Sequence, residues 1–415
     1  MAALHAEIPA QTKQERLLFL DWLRVLAVLG VFYFHTLRPF DSLADWNIKN
    51  PERSLVANIV IGFFYQWGMP LFFLLAGTAS WFALRSRSGR QFLRERALRL
   101  LLPLIIGFLL FGPPQAYVEA LTHGNFQGSF LQFYPWFFAH IRLSWHAPWI
   151  NFNYHLWFLI FLWVFTLLTL PLFLFLRGTS GQRMIDTLAA WCAKPSRIFL
   201  FIIPIALIQM ALRAAFPLEH DWADLIYYLA FFLCGYLLFS RPAFAEAIRK
   251  YGWPALGIGI ICSLSMAALL LSGYGLAWER SPSYTVGSLL YQVLRSINTW
   301  SWLIFVFFCG MRWFTGNNRF LRYMNEAVLP FYVLQHPVII LVAFYVVPLN
   351  IGVLPKWLIM SALAFILVMA LYELLVRRIN SIRWLFGMKR HYGPSQEEMN
   401  ASISLSTSHM GRSKV

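Results

Sequence analysis

The sequence predicts an all-α fold: a polytopic membrane bundle of about ten transmembrane helices with both termini in the cytoplasm. Hydrophobic residues make up 59% of the 415 residues and charged residues only 13%. The mean hydropathy of +0.59 is far above that of a soluble domain of this length. Apolar runs of about 20 residues, the length that crosses a hydrocarbon core of about 30 Å, recur along the chain.

Ten such runs are readable from the sequence. They are 17–37, 58–84, 98–118, 156–176, 198–216, 223–240, 253–272, 286–311, 328–347 and 356–376. The 58–84 run is the longest and contains Pro70 and Gly77. We therefore expect one kinked or tilted helix there rather than two crossings.

The basic residues alternate by loop instead of forming one patch. The second, fourth, sixth and eighth loops are rich in arginine and lysine, whereas the odd-numbered loops are poor. By the positive-inside rule this pattern places both termini in the cytoplasm. It also accounts for the net charge of +16 without nucleic acid, and the lipid bilayer is the expected partner of these residues.

The chain divides into a cytoplasmic N-terminal tail (1–16), one membrane domain (17–380) and a cytoplasmic C-terminal tail (381–415) that is polar and expected to be mostly disordered. The first residues lack a signal-peptide pattern, so the first span is expected to remain as an anchor. Four cysteines in or near spans predict no disulfide. The sequence indicates no oligomeric state.

The first span contains three ionisable residues on one face. Arg24 and His35 are eleven positions apart, which on an α-helix is about 20° of rotation and about 16 Å of rise. Asp21 extends the same stripe. Because a buried cation is unfavourable in a bilayer, this stripe is predicted to face a functional site inside the bundle.

Further candidates lie in later spans. His155 begins the fourth span at about the depth of His35, and either lines a site or anchors the helix at the interface. His336 and Tyr332 lie one turn apart in the ninth span, nearer the predicted depth of Arg24, and either hold a ligand or satisfy a kink at Pro337. Arg295 in the eighth span either contacts a ligand or pairs with a buried carboxylate.

A basic cluster precedes the third span. Arg96 and Arg99 lie in RERALRLLLP at its cytoplasmic end, where they suit either the phosphates of a ligand or anionic lipid. Arg85, Arg87 and Arg90, just before them, more often contact lipid headgroups in such segments. The chain contains no HExxH, CxxC, GxGxxG, Walker or GxSxG motif, so no metal site is predicted.

Five short segments resemble, in order, the motifs of the acyltransferase-3 family of integral membrane acyltransferases. They are FLDWLRVLAVLGVFYFH (19–35), MPLFFLLAGTASW (69–81), RERALRLLLP (94–103), HLWFL (155–159) and AVLPFYVLQHP (327–337). The late segments NEAVLPFYVLQHPVII and LYELLVRRINSIRWLFG are most similar to the glucan-biosynthesis succinyltransferase branch. One departure is Ala76-Gly77, where the family pattern more commonly has Ser-Gly.

The resemblance implies a membrane O-acyltransferase of the bacterial inner membrane. It would move an acetyl or succinyl group from cytoplasmic acyl-CoA, a donor substrate rather than a tightly bound cofactor, to a hydroxyl of a periplasmic or cell-surface glycan. His35 would be the general base, and Arg24, with or without His336, would position the donor or offset charge. A covalent acyl-histidine stays open. The residues implied in substrate contacts are Asp21, His155, Trp157, Arg295, Tyr332 and His336, with Arg96 and Arg99 on the nucleotide phosphates.

A transporter or flippase is the alternative function. In that case the same polar residues would line an aqueous path for a substrate. The sequence shows no internal repeat and no paired broken helices, which many transporters have. These absences favour the enzyme.

Overall fold

The computed structural model of the chain describes residues 10–141 and 154–389. These residues form α-helices and no β-strand, which confirms the predicted all-α class. The helices are α1 (Ala10–Leu37), α2 (Leu55–Ser86), α3 (Gly89–Thr122), α4 (Phe130–Ala139), α5 (Trp157–Arg177), α6 (Thr179–Cys192), α7 (Ile202–Leu212), α8 (Trp222–Leu238), α9 (Pro242–Leu271), α10 (Tyr274–Arg280), α11 (Val286–Trp313), α12 (Arg319–Val346), α13 (Val353–Leu371) and α14 (Asn380–Leu385).

Eight helical segments within the described residues are long and apolar enough to cross a membrane: those containing α1, α2, α3, α5, α9, α11, α12 and α13. The other two predicted spans, 198–216 and 223–240, correspond to the shorter apolar helices Arg197–Leu212 and Trp222–Leu238. At 1.5 Å per residue these reach only about 24–26 Å, less than a typical hydrocarbon core. The 58–84 run forms one continuous helix, α2, with Pro70 inside it.

Polar side chains mark where several of these helices begin. Ser54, Ser88 and Asn318 each accept a hydrogen bond from a backbone N–H in the first turn of α2, α3 and α12, respectively. Asp221 does the same for α8. Such caps satisfy backbone donors that have no partner inside the helix, so the short polar loops fix where each apolar helix starts.

Helices α2 and α8 approach each other through two glycines. A Cβ atom added at Gly77 would lie 1.9 Å from the Phe232 carbonyl oxygen, and one added at Gly235 would lie 2.0 Å from the Leu74 carbonyl oxygen. The Thr78 hydroxyl donates across the contact to the Gly235 carbonyl oxygen, over 2.9 Å. In a bilayer, small residues let backbones pack closely, and here that packing fixes α2 in the centre of the bundle.

We use two names for the ends of the bundle. At the arginine-rich end, α2 and α5 end and α3 and α9 begin; Arg177 donates there to the Arg87 carbonyl oxygen, and Arg241 donates to Gln182. At the loop end, the Thr122 hydroxyl at the end of α3 donates to the Asn47 carbonyl oxygen in the loop between α1 and α2. Helix α12 runs between the two ends and packs against α1, α3 and α13.

The folded part of the chain continues past the predicted end of the membrane domain at residue 380. Helix α14 follows it, and Arg383 is buried and donates to Glu326 over 2.8 Å. Because this ion pair ties the segment to α12, residues 381–389 belong to the bundle rather than to the predicted tail. Residues 390–415 lie outside the described residues, as do residues 1–9 of the predicted N-terminal tail.

We expect the substitution Gly77→Ala to lower the thermal unfolding midpoint of the purified protein, because the new methyl group has no space against the α8 backbone. Overpacking of this kind typically costs about 1–3 kcal/mol. Gly257→Ala is the matched control: Gly257 lies inside α9 with open space around its Cα, so alanine should leave the midpoint unchanged or raise it. Equal midpoints for both variants would contradict the packing described here.

Candidate active site

Three histidines from different parts of the chain meet inside the bundle. His35 is on α1, His336 is on α12, and His155 is in the 3-10 turn Tyr154–Leu156 before α5. The rings of His35 and His336 lie edge to face with centroids 4.6 Å apart, and the rings of His155 and His336 stack at 4.7 Å. We call these three residues the histidine cluster.

His35 is partly exposed and contacts a buried amide. The Gln335 side chain is fully buried, and its Nε2 and Oε1 atoms lie 2.9 and 3.2 Å from His35 Nδ1. When the amide oxygen of Gln335 faces the ring, a neutral imidazole donates from Nδ1 and has its lone pair on Nε2. This arrangement is the one that a general base requires, because Nε2 can then accept a proton.

The tautomer of His336 follows from its neighbour Gln115. The Gln115 amide nitrogen donates to the Phe111 carbonyl oxygen over 2.7 Å, which turns the amide oxygen toward His336 Nδ1 at 2.5 Å. Nδ1 of His336 is therefore the donor in that contact. The ring edge of Trp46 completes the surroundings of His336, at 5.7 Å between centroids.

His155 is held by two backbone contacts with α12. Its Nε2 lies 3.2 Å from the Val333 carbonyl oxygen, and because a carbonyl can only accept, Nε2 carries the proton. The Tyr332 hydroxyl donates to the carbonyl oxygen of His155. Nδ1 of His155 is buried and has no hydrogen-bond partner among the described residues. A buried acceptor without a hydrogen bond is unfavourable, and such an acceptor is typical of a site that binds a ligand.

Arg24 lies about 16 Å further along α1 than His35, toward the arginine-rich end. Its guanidinium donates to Asp21 over 2.9 Å and to the Asn325 side-chain oxygen over 3.1 Å. The expectation that His336 lies near the depth of Arg24 is therefore wrong: His336 lies beside His35. The rise of α1 over these eleven residues places Arg24 and His35 at different depths in the bundle.

A cavity of about 290 Å³ extends from the arginine-rich end into the bundle, between α1, α2, α3, α5 and α12. Arg24, Arg87, Arg96 and Arg99 contribute to its lining. Arg24 is paired with Asp21 and Arg87 with Glu95. Neither of the other two arginines forms an ion pair with a described residue, so the cavity has two uncompensated positive charges.

Local contacts fix the arginines of this cavity. Arg96 donates to the Ser80 hydroxyl over 2.8 Å and lies over the Phe92 ring at 5.3 Å. Gly387 lines the cavity in a left-handed conformation, with φ +68°, and a Cβ atom there would lie 3.0 Å from Arg99 Cα. The turn after α14 therefore packs directly on α3 at the cavity mouth.

The cavity ends before it reaches the histidine cluster. Tyr332 and Val28 are in its lining, but His35 is not, so Arg24 and His35 do not line one common cavity in this structure. The physical reason is the Tyr332 side chain, whose hydroxyl binds His155 and whose ring lies 5.4 Å from the His155 ring. One tyrosine thus separates the positively charged cavity from the three imidazoles.

Comparison with known proteins identifies the family. A family model described as an acyltransferase domain, acyltransferase 3, matches residues 17–373, nearly the whole chain. The chain belongs to the acyltransferase-3 family. The family and the apolar helices make it a multi-pass integral membrane protein and an acyltransferase enzyme.

Curated relatives cover almost the same length. Proteins named glucans biosynthesis protein C from Escherichia coli strains SMS-3-5 and K12 and from E. coli O9:H4 strain HS are 26% identical to this acyltransferase over 398 residues. The match covers 92% of this chain and 96% of each relative. No solved structure matched in the comparison with known structures.

Three of the predicted substrate-binding residues of this acyltransferase, Asp21, Trp157 and Arg295, lie away from the cavity lining and the histidine cluster. Trp157 is buried against the His220 ring, at 3.9 Å between centroids. Arg295 pairs with Glu279 of α10 over 3.4 Å and lies above the Tyr65 ring. These contacts therefore favour the alternative in which Arg295 pairs with a carboxylate.

The sequence analysis did not identify the residues that orient the predicted site residues. Gln335 and Gln115 hold the imidazoles, Asn325 holds Arg24, and Ser80 holds Arg96. Gln335 adjoins His336 in the sequence, and a buried amide next to a histidine inside an apolar span is a usable signal. The other three depend on contacts between different helices, which for Gln115 and Asn325 are far apart in the chain.

The electrostatics of the cavity can be tested by thiol labelling. Ala83 lines the cavity, so in a background without native cysteines we expect Ala83→Cys to react faster with an anionic methanethiosulfonate than with a cationic one. Adding Arg96→Gln and Arg99→Gln should abolish that preference. A preference for the cationic reagent, or one that survives the double substitution, would contradict the charge distribution described above.

Proposed function

We propose that this protein is a membrane O-acyltransferase that moves an acetyl or succinyl group from acyl-CoA to a hydroxyl of a glycan, with His35 as the general base. The observation that carries this proposal is that the two parts of the site lie next to each other. A cavity with two uncompensated arginines ends at a tyrosine that is hydrogen-bonded to the histidine cluster.

Acyl-CoA fits the chemistry of the cavity. In this proposal Arg96 and Arg99 bind the phosphates of the coenzyme, since guanidinium groups pair well with phosphate oxygens. The pantetheine arm would extend along the apolar part of the lining toward Val28. Positive residues concentrate at this end, so the positive-inside rule places it in the cytoplasm, where acyl-CoA is found.

Of the two roles expected for Arg24, positioning the donor is the one that its place on α1 favours. Its distance of about 16 Å along α1 from His35 prevents it from touching a thioester that reacts at His35. It would instead hold the donor in the cavity, in a position fixed by Asp21 and Asn325. We assign Arg24 and Asp21 to donor positioning rather than to the chemical step.

Tyr332 must move for the thioester to reach His35. We infer that donor binding displaces the phenol from the His155 carbonyl oxygen and joins the cavity to the histidine cluster. His155 Nδ1, buried without a partner among the described residues, is then an acceptor available to that phenol or to a substrate hydroxyl. This step would also keep water from the thioester until the donor is in place.

The reaction balances with His35 as the only proton carrier. Nε2 of His35 accepts the proton of the acceptor hydroxyl. At the same time the hydroxyl oxygen forms a bond to the carbonyl carbon of the thioester. The carbon–sulfur bond breaks, and the coenzyme thiolate takes the proton back from the imidazolium. Gln335 accepts a hydrogen bond from Nδ1–H throughout, which favours the charged ring in the transition state.

The acceptor is the second substrate of the proposed reaction. A glycan is supported by the relatives named glucans biosynthesis protein C, and a bacterial inner membrane location by their source. The acceptor would enter from the loop end, which this orientation places in the periplasm. Mass spectrometry of envelope glycans, with and without the protein, would identify a succinyl or acetyl unit; an altered lipid instead would contradict the glycan.

We expect His35→Ala to abolish release of coenzyme thiol from acyl-CoA when membranes and acceptor are mixed, because general bases contribute about 10²–10⁴-fold to rate. His123→Ala is the matched control: this histidine lies at the loop end, outside the cluster, and its loss should leave the rate unchanged. Full thiol release by the His35 variant would remove His35 from the mechanism. Substrate movement that depends on an ion gradient, without any thiol, would instead support transport.

Gln335 is a positioning residue with a distinct kinetic signature. We expect Gln335→Ala to lower kcat by about tenfold or more, because the ring of His35 loses one hydrogen bond, and to leave KM for acyl-CoA unchanged. Gln335→Glu retains an acceptor for Nδ1–H, so it should restore part of kcat and shift the pH–rate profile. A rise in KM at constant kcat in the alanine variant would indicate a structural role alone.

A further inference from the structure

A second cavity, of about 270 Å³, lies at the arginine-rich end on the other side of α2. Its lining residues are Trp81, Arg85, Arg177, Gln182, Tyr236, Ser240 and Arg241. Ala79 and Ala83 of α2 face the first cavity, whereas Trp81 and Arg85 face this one. We call it the three-arginine pocket.

The pocket has an excess of positive charge. Arg241 forms an ion pair with Asp186 over 2.5 Å, and the hydrogen bond from Arg241 lowers the pKa of that carboxyl, which is therefore ionised at neutral pH. Arg85 and Arg177 form no ion pair with a described residue. Three guanidinium groups and one carboxylate leave two positive charges facing a common space.

Trp81 supplies an independent sign of a missing ligand. Its indole is 6% exposed, and its Nε1 is buried with no hydrogen-bond partner among the described residues. The ring is fixed edge to face on the Tyr236 ring, at 5.2 Å between centroids. An indole N–H can only donate, so a ligand that bonds to it must offer an acceptor, and the neighbouring arginines favour an anionic one.

The depth of the pocket favours a lipid as the source of that anion. Arg85 lies in the last turn of α2, Arg177 ends α5, and Arg241 is the N-cap of α9, so all three lie where apolar helices end. On α5, Leu174 is exposed and lies less than one turn before Arg177, about 60° from it around the helix. Basic groups at the headgroup level above exposed apolar side chains suit a molecule with a phosphate and acyl chains.

We propose that the three-arginine pocket binds the phosphate of an anionic phospholipid. The phosphate oxygens accept hydrogen bonds from Arg85, Arg177 and the Trp81 indole, and the acyl chains lie along α5. Such a lipid would join the ends of α2 and α5 to the start of α9. The proposal does not depend on the acyl-transfer mechanism, since none of its residues lines the first cavity.

Native mass spectrometry of the full-length protein in detergent tests this pocket. Cardiolipin and phosphatidylglycerol are titrated onto the wild type, onto Arg85→Gln/Arg177→Gln and onto a matched control, Arg312→Gln/Arg322→Gln. The control removes the same charge at exposed arginines of α11 and α12. We expect about tenfold or greater loss of lipid affinity in the first double variant and none in the control.

Trp81→Phe keeps the ring and the net charge but removes the donor, so it should weaken lipid binding severalfold even if the arginine variant fails to fold. Phosphatidylcholine, which has no net charge, should bind weakly to every variant. Adenosine 3′,5′-bisphosphate is the competing probe. Equal lipid binding by the wild type, the arginine variant and Trp81→Phe would overturn the proposal, and so would displacement of the lipid by the nucleotide.

Discussion

The absence of water inside a bilayer is the constraint on which this structure depends. A polar side chain in a membrane bundle must find its partner in the protein, because an unpaired polar group in hydrocarbon is unfavourable. Gln335 and Gln115 meet that need for two of the imidazoles, and the Val333 carbonyl oxygen of α12 meets it for Nε2 of the third. The same hydrogen bonds place the ring protons of His336 on Nδ1 and of His155 on Nε2.

The parts of the site that lie on one helix follow from the sequence. The helical repeat alone places Asp21, Arg24 and His35 on one face of α1, and alternation of basic loops marks the end that the arginines occupy. The motif containing Tyr332 and His336 also lies on α12 as expected. Fold class, the length of α2 and the apolar character of the helices needed no knowledge of tertiary contacts.

The remaining features depend on how helices meet. The sequence left open whether Arg295 contacts a ligand or pairs with a carboxylate. Only the position of α10 brings Glu279 next to it. Tyr332 separates Arg24 from His35 through a contact between α12 and the turn before α5, which are 177 residues apart in the chain. Two apolar helical segments, Arg197–Leu212 and Trp222–Leu238, end a few residues before the apolar runs that predicted them, at 212 instead of 216 and at 238 instead of 240.

The turn after α14 makes the mouth of the first cavity sensitive to the end of the chain. Gly387 packs on the backbone of Arg99, and the ion pair between Arg383 and Glu326 holds this segment in place. Loss of the ion pair between Arg383 and Glu326 would therefore loosen the rim of the first cavity. The shape of that opening thus depends on a short segment that follows the last membrane-spanning helix.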